Sequence, residues 1–375
     1  MIDNPATEGD DSPFRAVRGA GRGVRLIDVA NAAGVSVATA SRSLRGVAKV
    51  SPATRERVLD AARELSYGVA PRLFEAQPAQ PGAPVVAVIL PFFTRWYFST
   101  ATAAALDHLR ANGYDVLLYH LGTAEVRDQF FETLPLAGRV QGVLSLSMPL
   151  GEHHTLALRA LGLPLVSIGS HIDGWPSVGI DDVAAGALAV NHLLNQGHQR
   201  IGLIAGAVDD ARFDFTASVA RRLGYEQALN AAGIDFDPAL VVEGPHGIEG
   251  GAQAMIELLG RPHLPTAVLG EFDELAIGAL WALRRAGLQV PRDVSVIGID
   301  DMDTARFVDL TTVAQDVVAQ GRYAAVQLIR LLSGEADPDD AVQRLEPIRL
   351  VLRESTAPPH RGRAAGASLL SSNES

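Results

Sequence analysis

The sequence predicts a small all-α helix-turn-helix domain followed by a larger α/β domain of two parallel-sheet subdomains. Three observations lead to this prediction. A stretch near the N-terminus shows helical apolar spacing around a glycine turn, short apolar runs alternate with helical segments through the rest of the chain, and positive charge is concentrated in the first part. Strands that are apolar on both faces and separated by helices are typical of parallel sheets covered on both sides.

The composition excludes several classes of protein. The chain has 375 residues, of which 47% are hydrophobic, so it can bury more than one core. It contains no cysteine, which excludes disulfides, thiolate nucleophiles and cysteine-based zinc sites. There is no run of about eighteen apolar residues, and the first residues are polar and acidic. We therefore expect neither a membrane span nor a secretory signal, and a cytoplasmic protein.

The charge is unevenly distributed along the chain. The net charge is −11, but residues 15–63 carry nine Arg and one Lys against two Asp and one Glu, a net charge of +7, so the rest carries −18. A basic segment on an acidic body is typical of a protein that contacts phosphates with one end only. A solvated basic tail would show the same composition.

Residues 24–67 show the pattern of three short helices. Apolar residues at helical spacing precede Gly34, which supplies a sharp turn, and Ser36 is a suitable N-cap for a second helix over 37–44. Ser51 caps a third helix with a proline at its first position. Two short helices joined by a glycine turn, with a third closing the core, form a helix-turn-helix, whose second helix enters the major groove of DNA.

Beyond residue 85 the sequence alternates between strand and helix patterns. The predicted strands are the apolar runs at 85–90, 115–120, 142–147, 163–169, 200–206, 266–270 and 293–299. The predicted helices include Thr100–Asn112, Ala184–Gln196, Ala217–Ala232 and Glu274–Ala286. This number of units exceeds one ordinary sheet, so two βαβ subdomains are expected.

Two parts of the chain resemble the same family. Residues 28–45 read DVANAAGVSVATASRSLR, which resembles the DNA-binding signature of the lactose-repressor/galactose-repressor family, close to DVAxxAGVSxxTVSRxLN. Blocks over roughly 85–355 are similar to the family's effector domain, in the same order: they include PSVGIDD (176–182), HLLNQGHQRIGLIAG (192–206), FDELAIGALWALRRAGLQVPRDVSVIGIDD (272–301) and RLVLREST (349–356). This resemblance implies the fold of periplasmic sugar-binding proteins for the second part.

The resemblance also implies a domain organisation. We expect a disordered arm (1–23), the helix-turn-helix domain (24–67), a proline-rich hinge or linker (68–84), an effector-binding and dimerisation domain (85–355) and a disordered tail (356–375). The effector domain is expected to comprise one subdomain of about 85–179 with 308–338 and another of about 180–307 with 339–355.

The resemblance implies that the second helix reads DNA. Val37 and Ala38 would face bases, since small apolar residues can read thymine methyl groups. Arg42 would reach a guanine or a phosphate. The expected DNA-binding residues are Ser36, Val37, Ala38, Thr39, Ser41, Arg42, Arg45 and Lys49. The alternatives are that Val37 and Ala38 are core residues and that Arg42 forms only a surface ion pair.

The effector pocket is expected where strands end, because open parallel sheets bind ligands at their carboxyl edges. Aromatic residues follow the first predicted strand, and carboxylates follow later ones. The family resemblance implies a pocket that includes Phe92, Phe93, Trp96, Asp182, Arg221, Asp273 and Asp300. Carboxylates and Arg bond to hydroxyls, and aromatic faces cover sugar rings, so this set suits a polyol. Helix N-capping by Asp182 or Asp273 and a core role for Phe92 and Phe93 are the alternatives.

These features predict a sequence-specific transcriptional regulator, with a repressor favoured over an activator. Its expected partners are palindromic double-stranded operator DNA, a small-molecule effector, most simply a sugar, and a second copy of the chain. A sugar phosphate or purine corepressor is the alternative effector, and a stand-alone sugar-binding protein is a more distant alternative. The motifs GxSxG, HExxH and GxxxxGK[ST] are missing, so we expect no enzyme, no cofactor and no metal. The tail has only Leu369 and Leu370 as large apolar residues, which predicts a dimer and no tetramer.

The linker departs from the hinge helix of the family. Glu75 stands where an Arg is expected, and Ala76 stands where a Leu would wedge into the minor groove. Kinking DNA must be offset by wedge contacts, so a weaker kink is expected. The alternative is a register shift in which Leu73 or Phe74 becomes the wedge.

Overall fold

The computed structural model describes residues 26–44, 50–65, 83–148, 150–206, 216–337 and 340–360. The chain divides after Gln80 into two compact units. The predicted arm, Arg45, Lys49, the hinge positions 73–76 and residues 361–375 of the predicted tail lie outside the described residues.

The first unit is a three-helix helix-turn-helix, as predicted. Its helices are α1 (Leu26–Ala32), α2 (Val37–Leu44) and α3 (Pro52–Glu64). Gly34 turns the chain between α1 and α2 with φ +64°, a conformation that glycine adopts without strain. The Oγ of Ser36 accepts the backbone N–H of Thr39 at 3.2 Å. Ser51 caps α3 in the same way at 3.3 Å, so both predicted N-caps are confirmed.

Small side chains form the core of this unit. The buried residues are Val29, Ala30, Ala33, Ala40, Val58, Ala61 and Ala62. Ala40 stands where the family signature has Val and is fully buried. Val37 is 41% exposed, and Ala38 and Arg42 are also exposed. Val37 and Ala38 are therefore not core residues of this unit.

The second unit alternates strands and helices. In chain order the elements are β1 (Val85–Leu90), α4 (Trp96–Ala111), β2 (Asp115–His120), α5 (Ala124–Thr133), β3 (Gly142–Leu146), α6 (Glu152–Ala160), β4 (Leu165–Ile168), β5 (Ser177–Gly179), α7 (Asp182–Asn195), β6 (Ile201–Gly206), α8 (Thr216–Ala231), β7 (Val241–Gly244), α9 (Ile248–Leu259), β8 (Ala267–Gly270), α10 (Asp273–Arg285), β9 (Ser295–Asp300), β10 (Thr311–Ala314), α11 (Val317–Leu332), β11 (Gln343–Leu345) and β12 (Arg349–Val351). Each strand predicted from an apolar run is present.

These strands form two six-stranded sheets. The order is β11-β5-β4-β3-β1-β2 in the first sheet and β12-β10-β9-β8-β6-β7 in the second. All neighbouring strands pair in parallel except β10 and β12. Alternate residues of β1 enter different cores: Val86 and Val88 pack with α4 and α11, whereas Ala87 and Ile89 pack with α5 and α6. The strand is therefore apolar on both faces.

The structure differs from the predicted subdomain boundaries at the last two points where the chain passes from one subdomain to the other. β10 pairs with β9 and belongs to the second sheet, although residues 308–338 were expected in the first subdomain. β11 pairs with β5 and belongs to the first sheet, although residues 339–355 were expected in the second. Apolar spacing identifies a strand but does not specify the sheet that it joins, which is the physical reason for the difference.

The predicted tail begins too early in the chain. Thr356 bonds through its hydroxyl to the Nε2 of His192 at 2.9 Å. The carbonyl of Ala357 accepts bonds from the buried His198 at 2.9 Å and from Ser295 at 3.0 Å. Thr356 and Ala357 are therefore part of the second unit, and the contacts of His198 are structural. In the described part of the chain, no helix combines the length and apolar character needed to cross a membrane.

Candidate functional site

A cavity lies between the two sheets, where the ends of their strands converge. It encloses about 700 Å³ of empty space, part of which is open to solvent. Ser147 and Gly169 follow strands of the first sheet, and Asp300 and Gln315 lie at strand ends of the second. Among the residues that the structure describes, the lining is Arg95, Tyr97, Phe98, Ser147, Gly169, Ile180, Asp182, Ala217, Ser218, Arg221, His246, Phe272, Glu274, Asp300, Gln315 and Gln320. The strand-end rule therefore locates the cavity.

Arg221 of α8 is the buried cation of this cavity. Its Nε donates to Oδ1 of Asp182 at 2.8 Å, and its Nη1 donates to the carbonyl of Glu271 at 2.8 Å. Both Nη atoms lie 3.5 Å from Oδ1 of Asp300. Burial alone would lower the pKa of the guanidinium, but the charges of Asp182 and Asp300 raise it above its usual value. Arg221 is therefore permanently charged and held between two carboxylates.

Two consecutive aspartates have different roles at the start of α7. Asp181 is the N-cap, and its Oδ1 accepts the backbone N–H of Ala184 at 2.8 Å. Asp182 does not cap the helix, so its carboxylate is available to Arg221 and lines the cavity. The alternative that Asp182 is only an N-cap is wrong.

A chain of hydrogen bonds continues from Asp300 to the first subdomain. Gln315 donates from Nε2 to Oδ1 of Asp300 at 2.7 Å, and Gln320 donates from Nε2 to Oε1 of Gln315 at 2.9 Å. The hydroxyl of Tyr97 donates to Oε1 of Gln320 at 3.1 Å. Charge-assisted and amide bonds thus link α8 of the second subdomain to α4 of the first.

The backbone at Asp300 explains how two adjacent carboxylates separate. Asp300 has φ 133° and Asp301 has φ 57°, both unusual for residues other than glycine. Asp300 points to Arg221, whereas Asp301 pairs with Arg353 at 2.5 Å. Burial raises the pKa of Asp300 to about 6, although the Arg221 charge opposes that rise. Strained backbone of this kind is common at ligand sites.

Asp273 is placed differently from the expectation for an effector-binding residue. It is fully buried and is absent from the cavity lining. Its Oδ1 accepts the hydroxyl of Thr312 at 2.6 Å, and its Oδ2 accepts the backbone N–H of Met302 at 2.9 Å. It is not the N-cap of α10, a position held by Phe272. Asp273 therefore joins α10 to β10 and to the turn after β9.

The predicted aromatic residues also lie beside the cavity and do not line it. Phe92 packs under the guanidinium of Arg95, with 3.4 Å between the guanidinium carbon and the ring centroid. Phe93 is 49% exposed, and Trp96 packs against the cores of both subdomains. The aromatic residues that line the cavity from this segment are Tyr97 and Phe98. The strand-end rule identifies the segment but not which side chains of the first helical turn point inward.

Several lining residues were not predicted. Phe272, His246, Ser147 and Gln315 follow β8, β7, β3 and β10, so the strand-end rule could have identified them. The other unpredicted residues include Ser218 and Gln320, which lie in the first turns of helices and carry no such signal. Their position depends on how α8 and α11 are oriented, which only the fold specifies.

Glu271 is a buried carboxyl next to this cavity. Its Oε2 accepts the backbone N–H of Gly206 at 2.8 Å, whereas its Oε1 accepts no hydrogen bond from any residue that the structure describes. Burial raises its pKa to about 7. At neutral pH this group is therefore poised between its neutral and charged forms.

The first unit presents a surface suited to DNA. Ser36 and Thr39 bond to each other at the start of α2, with 2.8 Å between their side-chain oxygens. Val37, Ala38 and Arg42 share the exposed side of α2, and Ser41 is half-buried. In the helix-turn-helix motif the first residues of the second helix meet base edges, so this surface has the geometry of a major-groove reader.

Among the described residues, the atoms of Asp128, His153 and His154 approach one another closely enough to suggest a metal centre. Gly151 donates its N–H to Nδ1 of His154 at 3.2 Å. The proton of that imidazole is therefore on Nε2, which lies 3.2 Å from Asp128. Both nitrogens are used within the protein, so His154 serves to join α5 and α6.

Comparisons with known proteins agree with this architecture. Residues 25–68 match the family described as bacterial regulatory proteins, lacI family, and residues 190–356 match a periplasmic binding protein-like domain. The HTH-type transcriptional repressor CytR of Escherichia coli K12 is 35% identical over 88% of this chain and 95% of its own length. The solved CelR–cellobiose complex is 32% identical, covers 88% of this chain and 99% of its own, and has a TM-score of 0.63.

A second similar structure was solved with both operator DNA and a small molecule bound. The lac repressor dimer bound to operator and the anti-inducer ONPF is 30% identical, covers 90% of this chain and all of its own, and also has a TM-score of 0.63. The matches extend over the helix-turn-helix and the effector domain together. This chain belongs to the lacI family of bacterial regulatory proteins and is a DNA-binding transcriptional regulator.

Proposed function

We propose that the cavity binds a neutral carbohydrate and that its occupancy controls the affinity of the helix-turn-helix for operator DNA. The observation that carries this proposal is the buried Arg221, fixed between Asp182 and Asp300 in a closed polar network. Such a network offers both donors and acceptors with fixed directions. Hydroxyl groups, which donate and accept, match it.

The charge of the lining favours a neutral ligand over a phosphorylated one. Among the described residues, Arg95 and Arg221 are the lining cations, whereas Asp182, Glu274 and Asp300 are the lining anions. A phosphate would add negative charge to a cavity whose described lining already contains more carboxylates than cations. The rings of Tyr97, Phe98 and Phe272 can cover the apolar face of a sugar. The CelR relative, solved with cellobiose, supports the same ligand class.

We assign DNA contact to the exposed side of α2. Val37 and Ala38 read base edges, Arg42 reads a guanine or a phosphate, and Ser36, Thr39 and Ser41 contact the DNA backbone. Arg45 and Lys49, outside the described residues, add phosphate contacts. The protein acts in the cytoplasm as a homodimer on a palindromic operator, since twofold protein symmetry matches twofold DNA symmetry. Light scattering of the full-length protein tests the dimer.

A ligand screen tests the carbohydrate assignment. Neutral sugars, sugar phosphates and purines are each added to the full-length protein while its thermal unfolding is followed. A ligand at a hundredfold excess over its Kd adds about 2.7 kcal/mol to stability. Stabilisation by a neutral sugar, lost in Asp300→Ala, supports the proposal. Stabilisation only by a sugar phosphate or a purine contradicts it and favours the corepressor alternative.

A further inference from the structure

Trp96, the first residue of α4, contacts the cores of both subdomains. Its side chain packs against the core that contains Phe98 and Ala101 of α4. It also packs against the core that contains Leu275 and Ile277 of α10. Because Trp96 does not line the effector cavity, these contacts join the two subdomains and are not part of the ligand's surroundings.

The start of α4 receives its cap from the other subdomain. Arg95 occupies the N-cap position, and its side chain makes no bond to the free N–H groups of the first turn. The carboxylate of Glu274, in the first turn of α10, accepts the backbone N–H of Trp96 instead. A carboxylate is favoured at this place because the N-terminal end of a helix is partially positive. A residue of the second subdomain therefore caps a helix of the first.

Further contacts between the subdomains surround this cap. The charge of Arg95 favours the ionised form of Glu274, although burial raises the pKa of Glu274 overall. Arg95 lies over the ring of Phe92, and the Phe92 ring centroid lies 6.5 Å from that of His246, which follows β7 of the second subdomain. Apolar packing, a hydrogen bond and an electrostatic attraction therefore join the subdomains at one place. We call it the Trp96–Glu274 contact.

The sheet order places this contact away from the segments that connect the subdomains. The described chain passes between them at 179–182, 314–317 and 345–349, after β5, β10 and β11. The Trp96–Glu274 contact instead follows β1 and β8, which lie three positions from β5 and two positions from β10 in their sheets. At about 4.8 Å per strand, these separations are about 14 Å and about 10 Å. A contact at this distance from the connecting segments resists rotation of one subdomain against the other.

We propose that the Trp96–Glu274 contact is a latch that holds the two subdomains closed around the sugar and couples sugar binding to operator affinity. This inference rests on the proposed function, and it assigns the regulation of that site to a contact that is separate from Arg221 and Asp300. β1, which leads into α4, is the first strand after residues 68–84 and the helix-turn-helix. The start of α4 is therefore connected to the DNA-binding unit through a single strand.

The latch and the sugar favour the same arrangement of the subdomains. Opening the cleft would expose apolar surface of Trp96 and leave the first turn of α4 without its acceptor. A ligand that needs the closed arrangement binds more weakly in proportion to the fraction of protein that is open. Loss of the latch should therefore weaken sugar binding and also reduce the effect of the sugar on operator affinity.

Substitutions on both sides of the contact separate a latch from a direct sugar contact. Glu274→Ala and Trp96→Ala should each weaken the binding of a neutral sugar by about tenfold in calorimetry of the full-length protein. Glu274→Gln should lose less, because its amide oxygen still accepts the N–H of Trp96. Glu249→Ala changes an exposed glutamate in the first turn of the neighbouring helix α9 and is the matched control. Unchanged sugar affinity in Trp96→Ala would show that Glu274 acts only by touching the sugar.

Cross-linking tests the latch from the opposite direction. The chain has no cysteine, so the double variant Arg95→Cys, Glu274→Cys contains only the two introduced thiols. They are joined by the shortest effective reagent in a series of bifunctional methanethiosulfonates, and operator affinity is measured by fluorescence anisotropy. The cross-linked protein without sugar should have the operator affinity that the wild type has with saturating sugar, and dithiothreitol should reverse the change. Arg95→Cys treated with the same reagent is the control.

Failure of the latch and failure of the proposed function give different results. If a sugar changes the operator affinity of the wild type, but Glu274→Ala responds equally and the cross-link has no effect, the latch is wrong and the carbohydrate function stands. If no sugar changes the operator affinity of the wild type, the carbohydrate function fails. A cross-link that changes operator affinity in that case still supports the latch, whereas a cross-link without effect overturns it as well.

Discussion

The Nε of Arg221 donates to Oδ1 of Asp182 at 2.8 Å, joining α8 to the first residue of α7. The same guanidinium reaches Asp300 at the end of β9. Three elements of the second subdomain therefore meet at one buried cation. Removing a partner from such a group leaves uncompensated buried charge, so each of these side chains supports the others.

Arg221→Ala should abolish carbohydrate binding and lower the free energy of unfolding by about 3–5 kcal/mol, since Asp182 and Asp300 lose their counter-charge. Calorimetry and urea unfolding of the effector domain within the full-length protein measure the two effects. The neighbouring Arg222 is 40% exposed and pairs with Glu226, so Arg222→Ala is a matched control that should change neither. Wild-type sugar affinity in Arg221→Ala would show that the cavity is not the effector site.

Amide substitution should lower stability at Asp273 but sugar affinity at Asp300, although both residues follow strands. Asp273→Asn keeps one acceptor for Thr312 but cannot accept the N–H of Met302, which costs about 1–3 kcal/mol of stability. Sugar affinity should change by less than about threefold. Asp300→Asn should instead weaken sugar binding by about tenfold or more, because a charge-assisted acceptor is lost. Calorimetry on both variants measures their sugar affinity. Loss of sugar binding in Asp273→Asn alone would show that Asp273, and not Asp300, contacts the ligand.

Asp273 and Asp300 show how much of the site can be predicted from the sequence. The strand-end position of both aspartates follows from apolar spacing, and the family resemblance assigns both to the pocket. The direction of each side chain depends on the backbone: Asp300 has φ 133°, whereas Asp273 begins a helix and turns toward Thr312. Similarly, DD at 181–182 does not reveal which residue caps α7. Local conformation decides these details, and periodicity does not specify it.

The fold, like the site, can be predicted from the sequence only in part. Seven of the twelve strands that the structure describes are predicted with boundaries close to those observed, because most parallel buried strands are apolar throughout. The shorter strands β5, β7, β10, β11 and β12 are not among the predicted apolar runs. The exchange of β10 and β11 between sheets is not predicted, because sheet membership depends on long-range pairing. The exposed residues of α2 are predicted, since the cap at Ser36 sets the helix start and its phase.

Glu271→Gln should change the pH dependence of stability. The folded-state pKa of Glu271 is about 7, above its ordinary value of 4.5, so folding favours the protonated form. Its contribution to stability is therefore complete below about pH 4.5 and is lost as pH rises through 7. Asp273 and Asp300, with pKa values raised to about 7 and about 6, act in the same direction.

Glutamine at 271 cannot ionise and still accepts the N–H of Gly206. Urea unfolding from pH 5 to pH 8 should show a shallower fall for the variant, with stability at pH 8 up to about 3 kcal/mol above wild type. Glu132→Gln, at an exposed position on α5, is the control and should follow the wild-type profile. An unchanged slope in Glu271→Gln would show that this carboxyl stays ionised throughout.

Arg42→Ala should weaken binding to a selected palindromic operator by about 1–3 kcal/mol. Exchanging Val37 and Ala38 should change the preferred bases without removing affinity. Fluorescence anisotropy over a range of salt concentrations measures both effects, and wild-type affinity should fall steeply with salt. Arg139→Ala, an exposed arginine of the other unit, is the control. Equal wild-type affinity for palindromic and scrambled DNA at moderate salt would contradict the assignment of α2.

The central claim is that a carbohydrate in the cavity controls DNA binding, and one titration tests it directly. Labelled operator is titrated with full-length protein, with and without a neutral sugar that binds the wild type, and Asp300→Ala is treated in parallel. The account predicts that the sugar changes operator affinity of the wild type by at least about fivefold, a coupling of about 1 kcal/mol, and leaves that of Asp300→Ala unchanged. Operator affinity of the wild type that is the same with and without saturating sugar would contradict it.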